Sequence, residues 1–152
     1  MRTLLCLLAL VAFAGCDTAD DGLRLDADFY VGSWTLASLS DDSGDRTADI
    51  AALTDDLTFT FEANRDFQFL ADFPDAVNQA GRDDVTVAGT YRAVAEVQTL
   101  TLIVSGVPPT FRAEASSASA VSITAPGAAV GLLLGQIGLD FDGDVTLGLR
   151  KR

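Results

Sequence analysis

The sequence predicts an all-β domain, a small antiparallel up-and-down barrel or a sandwich, behind a cleaved N-terminal signal segment. Three observations carry this. From residue 29 onward the chain breaks into short stretches in which apolar and polar residues alternate, the period of a strand with one buried face. Gly, Asp, Asn and Pro punctuate these stretches, and helical stripes between them are too scarce for the crossovers of a parallel sheet. The first residues form instead a single apolar run.

Residues 1–15 read as an address. Arg2 supplies a minimal positive region, 4–13 is unbroken apolar sequence, and Ala14-Gly15 gives the small residues that precede a cut. The run is about half the length of a membrane-spanning helix. Phe13-Ala14-Gly15-Cys16 resembles the bacterial lipobox, with Phe13 where an aliphatic residue is usual. That resemblance implies a diacylglycerol on the Cys16 thiol, cleavage before Cys16 and acylation of the freed amine. Cys6 lies within the discarded run, so Cys16 is the only cysteine of the mature chain and no internal disulfide can form. Two or more acyl chains hold a protein on a bilayer durably. The expected location is the bacterial cell envelope, facing the periplasm or the cell surface. Asp17 resembles an inner-membrane retention signal in one set of bacteria and a surface-export signal in another, and both readings stay open. Residues 16–28 are polar and acidic, the composition of a solvated tether between lipid and domain.

Within 29–152 the first strand is 33–40 (SWTLASLS), with Trp34, Leu36 and Ser38 on one face. The second is 57–61, with Leu57, Phe59 and Phe61 inward and threonines opposite. Ala63-Asn64-Arg65 makes a tight connection, Asn64 taking positive φ, and 66–70 returns with Phe67 and Phe69 inward. Stretches 85–95, 98–104, 110–115, 120–124, 139–141 and 145–149 follow in the same style. The apolar, glycine-punctuated segment 125–139 reads as a loosened strand plus a loop over the barrel mouth. If exposed, it is the expected contact for membrane or partner.

Closure into a barrel would remove exposed strand edges. Phe29-Tyr30-Val31-Gly32-Ser33-Trp34 resembles the Gly-x-Trp signature that opens lipocalins and bacterial lipocalin-like domains. The later order, LTFTFEANRDFQF, GTYRAV, QTLTLIVSG and LDFDGDVTLGLRKR, is similar to small secreted lipocalin-like lipoproteins. The resemblance implies a barrel over 29–152 in which Arg150 on the last strand packs across Trp34 and seals one end. It also implies a mouth for a small hydrophobic ligand, with Phe59, Phe61, Phe67, Phe69, Val87, Tyr91 and Leu102 as lining. The same seven residues would equally fill a solid core.

Charge and composition narrow the function. With 22 acidic residues against 10 basic and a net charge of -12, no nucleic-acid partner is expected, and the only basic cluster is Arg150-Lys151-Arg152. No histidine is present, which removes histidine-based triads and the usual zinc sites, so no enzyme, cofactor or metal is expected. Asp140, Asp142 and Asp144 around Gly143 have a spacing that can wrap calcium but read as a hairpin turn, and the pairs 41–42, 55–56 and 83–84 read as solvated turns. Two functions remain: a lipid-anchored carrier of a small hydrophobic molecule, or an envelope interaction platform whose barrel is filled.

Overall fold

The computed structural model describes residues 23–74 and 84–152. The lipobox, Cys16, most of the tether and Asp83 lie outside the described residues. The described chain runs α1 (Ala27–Tyr30), β1 (Gly32–Asp41), β2 (Gly44–Asp45), α2 (Thr47–Leu53), β3 (Asp56–Phe61), β4 (Asp66–Asp72) and β5 (Val85–Val94). It continues with β6 (Thr99–Ile103), β7 (Thr110–Ser117), β8 (Ala120–Pro126), α3 (Gly127–Leu134) and β9 (Asp144–Lys151). Short 3-10 turns occupy Ala95–Val97 and Gly135–Ile137. No helix among the described residues is long and apolar enough to cross a membrane.

From β3 on, every strand pairs antiparallel with the next in sequence, and β1 joins β3 on one side and β9 on the other. The meander therefore closes into an eight-stranded antiparallel barrel, compatible with a lipocalin-like fold, with β2 a two-residue spur on β1. Alternation sets which face is inside. In β4, Phe67, Phe69 and Ala71 are buried between exposed Asp66, Gln68, Leu70 and Asp72. Opposite them, Phe59 pairs with Phe69 and Phe61 with Phe67 across the β3–β4 ladder.

One parity change occurs in β1. The register slips between Leu36 and Ser38, a β-bulge, so Ser38 faces outward and Leu39 takes the buried position. Simple alternation expects Ser38 on the Trp34 face and misses this. The β3–β4 turn also differs from expectation. Arg65, not Asn64, has positive φ (76°), while Asn64 uses its side chain to bond both the amide and the carboxylate of Asp66.

Both ends of the barrel are covered. Strand direction places α1 beside the start of β1, the end of β3 and the end of β9, and places α2 and α3 at the opposite end. The fold begins before residue 29: Leu25 is buried and Asp26 caps α1 by accepting from the amides of Asp28 and Phe29. The tether is thus shorter than its composition suggests. Helix α2 buries Ile50, and Thr47 Oγ1 both accepts from the Leu39 amide and donates to its carbonyl.

Segment 125–139 corrects the sequence reading most. Its first two residues complete β8, and from Gly127 it is a helix and a 3-10 turn that bury Val130, Leu133, Leu134 and Ile137, not a loosened strand and loop; only Leu132 among its large apolar residues is exposed. A helix wins because an apolar stretch with nothing to pair with in the ladder satisfies its own backbone while its side chains plug the barrel end. Residues 139–141 are accordingly not a strand. Gly138 at φ 85° ends the turn, and the carbonyls of Asp140 and Asp142 accept from Arg46 and from the Asp42 amide instead of a ladder.

Gly127 allows close approach, since a Cβ there would sit 3.0 Å from the Phe141 carbonyl oxygen. Gly131, in contrast, has open space where a Cβ would be. Gly131→Ala is therefore expected to stabilise the protein by about 0.5–1 kcal/mol, from helix propensity and reduced unfolded-chain entropy. A urea-melt midpoint that falls would contradict this.

Candidate functional site

The inward residues assemble an aromatic column. Phe59 and Phe69 have ring centroids 5.0 Å apart, Phe61 meets Phe67 at 6.3 Å and Tyr91 edge-on at 5.0 Å, and Tyr30 lies 5.7 Å from Phe61. All seven residues predicted to line the interior are buried: Phe59, Phe61, Phe67, Phe69, Val87, Tyr91 and Leu102. The ladder brings them together because each occupies an inward parity position on β3, β4, β5 or β6.

Tyr91 shows how that interior is satisfied. Its hydroxyl hydrogen-bonds to the carbonyl oxygens of Ala27 (3.1 Å) and Glu62 (3.0 Å), and Arg65 Nη1 donates to it at 3.4 Å. Protein groups thus meet the polar requirement of this phenol. Arg65 also stands over the Tyr91 ring, 5.9 Å from its centroid, and bonds Asp28 at 3.0 Å. Those contacts, with the Tyr91 hydroxyl bond first, raise the guanidinium above its ordinary pKa. Tyr30 behaves differently. Its hydroxyl is buried with no hydrogen-bond partner, and burial pushes its ionisation far up.

The α1 end is sealed around Trp34, which is fully buried and donates from Nε1 to the Tyr30 carbonyl at 2.6 Å. The cation over its ring is Lys151, with Nζ 5.3 Å from the centroid and donating to the Phe29 carbonyl at 3.3 Å. Arg150 does not take this place; its side chain is exposed. Pleat parity explains the correction, because Val145, Leu147 and Leu149 face inward and the next inward position is 151. Counting by twos from Val145 would have found it.

At the opposite end the acidic turns form a lock. The Asp41 carboxylate is shielded from solvent and paired with Arg46 at 2.9 Å, and it accepts from the Ser43 amide at 2.9 Å and the Asp142 amide at 3.4 Å. Ser43 Oγ donates to Asp142 at 3.1 Å. Asp41 is thus not a solvated turn residue, and 140–144 is not a hairpin turn but the loop this lock ties to the end of β1. Gly143 sits at φ 61°, where a Cβ would strike the Asp42 carboxylate. Among the described residues no group of three or more His, Cys, Asp or Glu could hold a metal ion.

Burial pushes the Asp41 carboxyl up, but the amides of Asp142 and Ser43 and the Arg46 guanidinium outweigh it and hold the group below its ordinary 3.8. A carboxyl lowered by folding stabilises the fold fully above its unfolded value, and that stability is lost as pH falls through the folded value. Asp41→Asn is expected to lower stability at neutral pH and to flatten the decline below about pH 4. Thermal melts across the acid range check this; parallel wild-type and variant profiles would refute it.

Open clefts lie on the outside. One of about 390 Å³ at the α1 end is lined by Asp26, Ala27, Asp28, Arg65, Tyr91, Arg92 and Ala93. Another of about 240 Å³ lies where α2 bridges β1 and β3, beside Leu36, Ile50 and Thr54. Neither the family models scanned nor the curated proteins searched include a match to this chain.

Proposed function

We propose that this chain is a lipid-anchored, non-enzymatic protein of the bacterial cell envelope whose filled barrel is a rigid interaction platform. The observation that carries this reading is Tyr91, whose ring packs edge-on against Phe61 in the interior while its hydroxyl is satisfied at the α1 rim by two carbonyls and Arg65. Coverage of both barrel ends by α1 and α3 supports it as well. Anchoring rests on the lipobox resemblance at Cys16. Two or more acyl chains would hold the domain at a membrane where it meets its partner.

A second reading, a carrier of a small hydrophobic molecule, is favoured by one observation. Tyr30 is fully buried, and an unmet hydroxyl there costs about 1–3 kcal/mol that a ligand acceptor would relieve. Native mass spectrometry of the full chain in detergent separates the two. The platform reading expects the same mass in native and denaturing spectra, covalent acyl chains included, and no uptake of a lipophilic fluorescent probe. A reproducible mass released on denaturation would overturn it in favour of the carrier. Cys16→Ser is expected to remove the acyl mass and release the protein from membranes; unchanged fractionation would sink the anchoring.

A further inference from the structure

The geometry points to the α1 end of the barrel as a docking face for a lipid surface, so that the barrel stands on the bilayer with its α3 end outward. This rests on the proposed anchoring at Cys16. Leu25 is buried in the fold, so the tether attaches at the α1 end. Six residues separate Cys16 from Leu23, seven Cα-to-Cα steps that reach at most about 25 Å when fully extended. The acylated cysteine therefore holds this end, and not the α3 end, close to the membrane.

What the end displays suits that neighbour. Leu23 and Val97 are exposed there at 42% and 62%, both large apolar side chains in segments flanking the barrel rim. Arg24 reaches Glu96 at 3.8 Å, which brings the Leu23 segment beside the Val97 turn. Arg92 lines the adjoining cleft with Arg65, and Arg150 is exposed near the end of β9, where Arg152 is exposed too but ion-paired with Asp56. Apolar residues among arginines match the boundary between acyl chains and anionic headgroups. Of the nearby acids, Asp26, Asp28 and Glu96 are engaged by Arg24 and Arg65, while Glu62 and Asp66 at the β3–β4 turn are exposed.

The other end also exposes apolar side chains, Val107 at 50% and Leu132 at 41%, but its charge is of the opposite sign. The turns and loops around α2 and before β9 carry Asp41, Asp42, Asp45, Asp140, Asp142 and Asp144, and Arg46 is the only base among the described residues there. An anionic bilayer repels that end and leaves the α1 end as the one that can approach. Tether position and charge distribution therefore select the same face.

The test uses the full lipidated protein in vesicles of phosphatidylethanolamine and phosphatidylglycerol. With Cys16 acylated, Val97→Cys and Ser43→Cys each introduce a unique thiol, one at each end, for a fluorescent label. A headgroup-bound quencher is expected to remove most of the emission at position 97 and little at position 43. Equal quenching at both, or stronger quenching at 43, overturns the orientation. Intact mass separates the two readings: acyl mass present with an unquenched position 97 overturns only the docking face, while absent acyl mass overturns the anchoring and the docking with it. Protection of position 97 that requires an envelope protein rather than lipid would assign the face to that protein and overturn the proposal.

Discussion

Phe59→Ala is expected to cost about 3–5 kcal/mol of stability and to convert the barrel into one that takes up a lipophilic probe. Phe59 is fully buried, pairs across the ladder with Phe69 on one side and Trp34 on the other, and has the Phe69 ring 5.0 Å away. Deleting the ring removes apolar burial and leaves space lined by apolar side chains, the kind of cavity that stays dry and accepts small apolar molecules. Domains of this size have about 5–15 kcal/mol to lose, so the variant should remain folded in the cold but melt early. Urea melts and a probe titration measure the two effects together. A cost below about 1 kcal/mol, or probe uptake by the unmodified protein at equal strength, would mean the barrel interior already holds a usable cavity.

Gly89→Ala is expected to destabilise by about 3 kcal/mol, at the upper end of overpacking, although it adds one methyl group. A Cβ at Gly89 would lie 2.2 Å from the Ile103 carbonyl oxygen and 2.8 Å from the Phe67 ring. A ring can shift, but the carbonyl belongs to the neighbouring strand, so relief requires β5 and β6 to separate. Thermal unfolding distinguishes this position from Gly131, where the same change has room and should raise the midpoint. If the two alanine variants move the midpoint in the same direction, close packing at Gly89 is not the cause of its glycine.

Much of the barrel was legible because its information is local. In 57–61 and 66–70 every second residue is a large apolar one, which defined the inward face of β3 and β4 without knowledge of their partners. The interior set from Phe59 to Leu102 followed from the same alternation. The misses occurred where a pattern had two local solutions. Residues 125–139 are apolar apart from Gln136, and an apolar run carries no period to separate strand from helix. Arg150 and Lys151 are adjacent cations, and only unbroken pleat parity from Val145 assigns Lys151 to Trp34.

Alternation, punctuation and composition alone established an antiparallel all-β chain, its inward aromatic residues and the absence of histidine chemistry, because each depends only on neighbours a few residues apart. Tertiary structure decided the rest: that β1 meets β9, that α1 and α3 cover the two ends, that Ala27 and Glu62 carbonyls satisfy Tyr91, and that Asp41 is locked to Arg46. These are contacts between residues tens of positions apart or more, apart from Asp41 and Arg46, whose burial comes from the distant 140–144 loop. Their energies depend on register and closure, which a one-residue slip would invert and which no local pattern encodes.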